Sequence, residues 1–268
     1  MTTRSRAAHV PVVTAALMAT AAALTSQETK RERDPSCDDW SGDRERYCEV
    51  REMTIPARER LAVDAGQNGG IKIEAWERNE IMIRARIQAW DDTEEEARQR
   101  VNDVRIETGG TIRADGPESR RWAVSYEISV PSRTDLRLDA HNGGIRVRGV
   151  RGGVEFRTMN GGVTLDRVSG HVRGQTTNGG LHVVLSGATW DGDGLDVRTT
   201  NGGVHLEIPE GYSARLETGT VNGGIRFDFP VTVEGRITRE MALDLGGGGP
   251  LVRATTTNGG VVVTRPES

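Results

Sequence analysis

The sequence predicts a mainly-β fold, specifically a β-solenoid of coils roughly 18–23 residues long with Asn-Gly-Gly corners. Three observations carry that prediction. The triplet Asn-Gly-Gly occurs seven times, at Asn68, Asn142, Asn160, Asn178, Asn201, Asn222 and Asn258. With each Asn numbered zero, positions −6, +3 and +5 are apolar in every copy, and the arms alternate with the period of a strand that buries one face. The buried positions are even before the triplet and odd after it. The chain must therefore bend or absorb a residue there, because a one-residue slip turns every side chain to the opposite face.

Successive triplets start 74, 18, 18, 23, 21 and 36 residues apart. A period near twenty with recurring buried columns is the pattern of stacked coils. The last gap is twice eighteen, and Leu243 and Leu245 stand at +3 and +5 of a midpoint at Glu240, which reads as a decayed copy. Threonine at −2 in five copies (Thr158, Thr176, Thr199, Thr220, Thr256) and the asparagines themselves suit side-chain ladders along a stack. Glycine reaches positive φ freely and asparagine tolerates it, which fits the triplet to a corner. Asn-Gly is also a hairpin signal, so an antiparallel β meander is the alternative. Phosphate-binding glycine loops occur once, between a strand and a helix. A calcium β-roll needs a third glycine that "GGVTLD" and "GGIRFD" lack.

From the N-terminus, residues 1–26 read as a signal peptide: Arg4 and Arg6 precede an Ala-rich apolar run with a small-residue exit at Ala21-Ala22-Ala23. The run is shorter than the roughly 20 apolar residues of a bilayer span. An extracytoplasmic protein is expected, periplasmic, cell-surface or secreted, with an N-terminal membrane anchor as the alternative. Residues 27–48 are polar and form a linker in which Cys37 and Cys48, the only cysteines, are expected to pair as a disulfide. Residues 49–265 form a single β-repeat domain, irregular over 49–135 and regular over 136–265. In the irregular part "IKIEAW", "EIMIRARIQAW" and "WAVSYEISV" alternate as strands. Between the last two, "DDTEEEARQRVNDV" predicts one helix near residues 92–104. Asp92 and Glu95 give it a capping-box-like start, and Ala97, Val101 and Val104 share one face.

The order of these elements resembles the bacterial putative-adhesin family, also called toastrack domains. A strand pair ending near a Trp, the acid-rich helix, an "EISVP" strand and serial "TTNGG" units carry the likeness, over roughly residues 50–265. The resemblance implies an extracytoplasmic β-strand-repeat domain linked to the cell envelope, and it supplies no catalytic motif.

Composition points the same way. With 34 glycines, 4% aromatic and 35% apolar residues, the chain suits short strands and tight turns better than a large globular core. A formal charge of −4 gives no basic field for nucleic acid. The outward +4 column reads Lys72, Arg146, Thr164, His182, His205, Arg226 and Val262 in its copies, the last from the copy at Asn258. Stacking in chain order would set His182 beside His205 and Arg226 on the following coil. Such a stripe, with Arg146, could bind an anionic polymer, sense acidification or hold a metal, against the plainer reading of two solvated histidines. Apart from it no metal set and no cofactor is expected. In "SGATWDGDG", Trp190 is expected to pack over the coil edge, and Asp191 and Asp193 fall short of a calcium loop.

Position −5 mixes Arg, Glu and Asp, both cysteines are accounted for, and no Ser-His-Asp or Cys-His set is suggested. The expected role is non-catalytic: an adhesin-like or envelope-binding module whose partner is an envelope or surface polymer or another protein. A polysaccharide-acting β-helical enzyme and a structural or sensory element are the alternatives. Strand edges left open at the terminal coil, "NGGVVVTRPES", are expected to be covered by the chain or used in self-association.

Overall fold

Alternating apolar residues make strands of the repeat arms, and mainly β-branched and leucine side chains fill their inward places. The computed structural model describes residues 30–34, 44–231 and 240–266. In its first part lie β1 (Lys30–Arg33), β2 (Glu45–Pro56), β3 (Arg60–Asp64), β4 (Ile71–Trp76), β5 (Glu80–Asp91), the helix α1 (Glu94–Asp103), β6 (Arg105–Glu107), β7 (Arg113–Asp115) and β8 (Trp122–Pro131). Strand pairs follow, each joined by a triplet: β9 (Asp135–Asn142) and β10 (Ile145–Arg148), β11 (Val154–Asn160) and β12 (Val163–Asp166), β13 (His171–Asn178) and β14 (Leu181–Val184). Next come β15 (Gly194–Asn201) and β16 (Val204–Glu207), β17 (Ala214–Asn222) and β18 (Ile225–Phe227), the single β19 (Glu240–Leu245), then β20 (Leu251–Asn258) and β21 (Val261–Thr264).

The fold is mainly β, with mixed sheets. One sheet runs β1-β2-β5-β8-β4-β10-β12-β14-β16-β21-β18, a second β19-β17-β20-β15-β13-β11-β9-β3, and β6 pairs with β7. Neighbours from β8 to β18 in the first sheet and from β3 to β17 in the second are parallel. The antiparallel meander is thereby excluded for the repeats. Each triplet carries the chain from the second sheet to the first, and the inward side chains of both sheets join one buried cluster. Positions −6, −4 and −2 face inward before the triplet and +3 and +5 after it, as Val154, Phe156, Thr158, Val163 and Leu165 illustrate.

At the corner, the first glycine of each triplet lies against the backbone of the neighbouring layer, which is another triplet in six copies and Val124 of β8 for Gly69. A Cβ added to Gly179 would stand 2.1 Å from the carbonyl oxygen of Gly161, and one on Gly202 2.2 Å from that of Gly179. Real Cβ atoms do not approach a carbonyl so closely, so only glycine fits. The second glycine is freer: a Cβ on Gly180 would meet Gly203 O at 3.3 Å. The expectation of positive φ holds in only two copies, where Gly69 and Gly259 have φ of 156° and 158°; at Asn142, Asn160, Asn178, Asn201 and Asn222 neither glycine has it. Left-handed backbone is used instead at the return corner, where Gly149 and Arg167 hold the same +7 place with φ of 70° and 52°.

The approach lets polar groups of the corner find partners in the next layer. Gly161 N donates to Asn178 O at 3.0 Å, and Thr176 Oγ1 donates to Gly161 O at 2.8 Å. The asparagine side chains form one continuous ladder. Nδ2 of each donates to Oδ1 of the preceding one, from Asn142 on Asn68 (3.1 Å) through Asn160, Asn178, Asn201 and Asn258 to Asn222 (2.7 Å).

That ladder also shows the stacking order, which departs from chain order. The copy at Asn258 lies between those at Asn201 and Asn222, because β20 pairs with both β15 and β17, and β21 with both β16 and β18. The segment ending in Arg265-Pro266 is thus covered by the chain on both sides. Three further expectations are corrected. Glu240–Leu245 is no decayed coil: it pairs antiparallel with β17, placing Leu243 beside Leu216. In the copy at Asn68 the buried −6 place belongs to Leu61 and not Ala62, since Leu61 pairs with Leu136 while Asn68 bridges Asn142. One extra residue between Asp64 and Asn68 absorbs the difference, at a stretch where Gly66 has φ of 65°. Of the expected linker, Lys30–Arg33 and Glu45–Cys48 are strand; residues 1–26 and Cys37 lie outside the described residues, while Cys48 is buried in β2.

The helix covers the antiparallel end of the first sheet. Its N-cap is Thr93, whose Oγ1 accepts from Glu96 N, so the capping box is Thr93/Glu96, one residue later than Asp92/Glu95. At its other end the buried Arg51 guanidinium donates to the carbonyls of Val101 (2.8 Å) and Val104 and to Glu49 Oε1 (2.5 Å). Those contacts satisfy carbonyls that a helix C-terminus leaves open.

Gly179→Ala is expected to destabilise the protein by about 2–3 kcal/mol through backbone displacement, and Gly180→Ala by less than about 1 kcal/mol. Urea unfolding of the two variants checks this; equal effects would contradict the close-approach account.

Candidate functional site

Parallel in-register pairing turns each outward column into a row of side chains about 4.8 Å apart. On the first sheet the +4 row reads Lys72, Arg146, Thr164, His182, His205, Val262, Arg226. His182 and His205 are neighbours, and Arg146 lies two strands from His182. Arg226 is not on the next strand after His205: Val262 separates them. The interposed valine breaks the expected basic continuation of the stripe.

Beside this row runs +6, with Glu74, Arg148, Asp166, Val184, Glu207, Thr264 and Asp228. Arg148 Nε lies 3.0 Å from Asp166 Oδ2. Both imidazoles lean across to this row: His182 Nε2 is 2.6 Å from Glu207 Oε1, and His205 Nε2 is 2.9 Å from Thr264 Oγ1. The common lean stacks the rings with centroids 4.9 Å apart at 7°. Glu207 stood in the column at +6 all along, but the sequence carries no signal for the direction in which an imidazole leans.

The second sheet presents a different face. In stacking order its −5 row reads Arg137, Glu155, Arg173, Asp196, Arg253, Glu217, a strict alternation of sign. Arg253 is held between two carboxylates, with Nε donating to Glu217 Oε2 at 2.8 Å and Nη1 3.5 Å from Asp196 Oδ2. The hydrogen bond to Glu217 raises the guanidinium's pKa further above its usual value. The −3 row adds Asp139, Arg157, Gln175 and Arg198, and a shallow groove runs between the two rows. Among the described residues Arg157, Arg173 and Arg198 have no carboxylate within 4.0 Å. Beneath the groove the ring of Phe156 occupies the space over Gly174, whose added Cβ would lie 2.4 Å from it.

Trp190 lies buried in the core, its Nε1 donating to Gly170 O at 2.9 Å, so it packs under the loop instead of offering a contact surface. Asp191 and Asp193 are exposed beside it, and Asp193 Oδ2 is 3.6 Å from His171 Nδ1. Among the described residues no helix is long and apolar enough to cross a membrane.

No family model matches the sequence, and no match is found among curated proteins. Solved structures of similar outline include a putative cell adhesion protein from Clostridium sporogenes, with 12% identity and a TM-score of 0.46 over 81% of this chain and 100% of that one. Others are a putative adhesin from Bacteroides fragilis (10% identity, TM-score 0.37, 81% and 97% covered) and a putative lipid binding protein from Parabacteroides distasonis (7%, 0.36, 82% and 97%).

Arg253→Glu sets three acidic residues in succession and is expected to cost about 1 kcal/mol, with the loss shrinking as salt rises. Thermal unfolding at low and high ionic strength checks both points. An unchanged midpoint would show that the charge row contributes nothing.

Proposed function

We propose that the protein is a non-catalytic, extracytoplasmic binding module, adhesin-like, that holds an anionic envelope or surface polymer along the outer face of its second sheet. In this reading the two sheets are walls of a β-solenoid with Asn-Gly-Gly corners, residues 1–26 direct export, and a Cys37–Cys48 disulfide ties the leading segment to β2. An N-terminal anchor in place of a cleaved signal would keep the same role at the membrane.

One observation carries the proposal. Arg157, Arg173 and Arg198 stand unpaired on adjoining strands along one groove, in fixed register. A guanidinium offers a planar fork of donors that matches carboxylate and phosphate groups, and unpaired arginines keep that capacity free. Strands locked by the corner ladder hold the three at set intervals, so little ordering entropy is lost when an extended polymer lies across them. Glu155, Asp196 and Asp139 in the same groove favour a ligand of mixed charge or spaced anionic groups over a dense polyanion.

A structural spacer is the second reading, favoured by the alternation of charge along the −5 row, which neutralises that row internally. A screen of the chain against envelope glycans and anionic cell-wall polymers separates the two. The binding module retains at least one polymer, more weakly as salt rises. Arg157→Ala/Arg173→Ala/Arg198→Ala lowers affinity about 10-fold, equivalent to about 1.4 kcal/mol. No retained polymer, or retention indifferent to the three arginines, would leave the spacer.

A further inference from the structure

On the opposite sheet, His182, His205 and Glu207 come together because of register. The two histidines are direct partners on neighbouring parallel strands, and Glu207 follows His205 by two residues and so shares its face. One ligand atom from each of the three lies within 4.8 Å of the other two. We propose that this cluster binds a divalent transition-metal ion of borderline softness, with Zn²⁺ as the representative.

The donor set selects the class of ion. Two imidazole nitrogens and one carboxylate suit zinc, copper or nickel, whereas calcium and magnesium favour all-oxygen surroundings. Bound at about 2.0–2.2 Å, such ligand atoms stand roughly 3–3.5 Å apart. The present separations, none above 4.8 Å, lie close to that range. His182 Nε2 and Glu207 Oε1 are already 2.6 Å apart, facing each other across the place proposed for the ion. The Thr264 hydroxyl, 2.9 Å from His205 Nε2, supplies a further oxygen at the rim.

Charge favours a cation over an anion at this place. Among the described residues Glu207 has no arginine or lysine within 4.0 Å, and the side chain that meets its carboxylate is the His182 imidazole. Thr164 and Val262, the flanking residues of the +4 row, bring no positive charge either. With 41% of the His182 side chain and 22% of the Glu207 side chain exposed, an ion can enter from solvent without opening the sheet. The site does not depend on the polymer-binding reading, which rests on arginines of the other sheet, so either can fail alone.

Titration of Zn²⁺ alone into the full chain by calorimetry, in metal-free buffer, tests the site. One ion per chain is expected. His182→Ala, His205→Ala and Glu207→Gln should each weaken binding at least ~10-fold, while His171→Ala, remote from the cluster, should leave it unchanged. Circular dichroism of each variant confirms that it is folded, as expected for substitutions on an outer face. Absorption of Co²⁺ in place of Zn²⁺ reports an imidazole-containing coordination sphere, lost in the same three variants. Binding that survives all three substitutions lies elsewhere in the chain and overturns the proposal. So does an absence of Zn²⁺ binding up to about 1 mM, the weakest affinity worth the name at about −4 kcal/mol.

Discussion

The structure depends on a backbone-to-backbone contact at one atom. In each repeat the first glycine of the triplet sits where a Cβ would fall about 2 Å from the carbonyl oxygen of the neighbouring layer, as at Gly161, Gly179 and Gly202. Once that approach is allowed, the other regularities follow. The asparagine amides come within hydrogen-bonding distance of one another, the threonine hydroxyls at −2 reach the glycine carbonyls, and the inward columns align. Outward columns align for the same reason, so whatever the surface does is done by rows of side chains at the strand spacing. The triplet brings neighbouring layers together, and the outward rows run along the faces on either side of it.

The corner does not specify which copy sits beside which. Its asparagine, glycine and threonine are the same in the five copies that carry all three, so any order would satisfy the ladders. The outward charges do discriminate. Chain order would set Asp196 beside Glu217, two like charges directly opposite, which is unfavourable by up to about 1 kcal/mol in a cross-strand pair. Placing Arg253 between them gives each carboxylate a partner. The arrangement has a consequence for assembly: the stack between β16 and β18 closes only when the last strands of the chain are in place, a contact of long sequence separation.

Most of the repeat architecture was legible because buried columns recur with the triplet. What escaped did so for definable reasons. Apolar alternation in Met241, Leu243 and Leu245 marks a strand but carries no direction, so an antiparallel edge strand looked like another coil. The register of the Asn68 copy shifted because an extra residue near Gly66 leaves no trace in the triplet itself. Helix position was off by one residue since Asp92 and Thr93 are both good caps, and the intrinsic preference for Asp over Thr is too small to decide between adjacent positions. At the surface, the pairing of His182 with His205 was readable from the +4 column. The displacement of Arg226 by Val262 was not, as it hangs on stacking order, and neither was the lean that brings Glu207 to His182.

The two faces divide the functional questions between them: arginines unpaired along a groove on one sheet, imidazoles beside a carboxylate on the other. Both rest on the order of layers, and that order is open to direct measurement. In-register neighbours lie about 4.8 Å apart, within disulfide reach, and residues two layers apart do not. Cysteine pairs placed by Asp196→Cys with Arg253→Cys, and by Arg253→Cys with Glu217→Cys, should therefore cross-link on mild oxidation of the folded protein. The pair Asp196→Cys with Glu217→Cys should stay reduced. Efficient cross-linking of that last pair, with none between residues 196 and 253, would mean that the copies stack in chain order and would contradict the account.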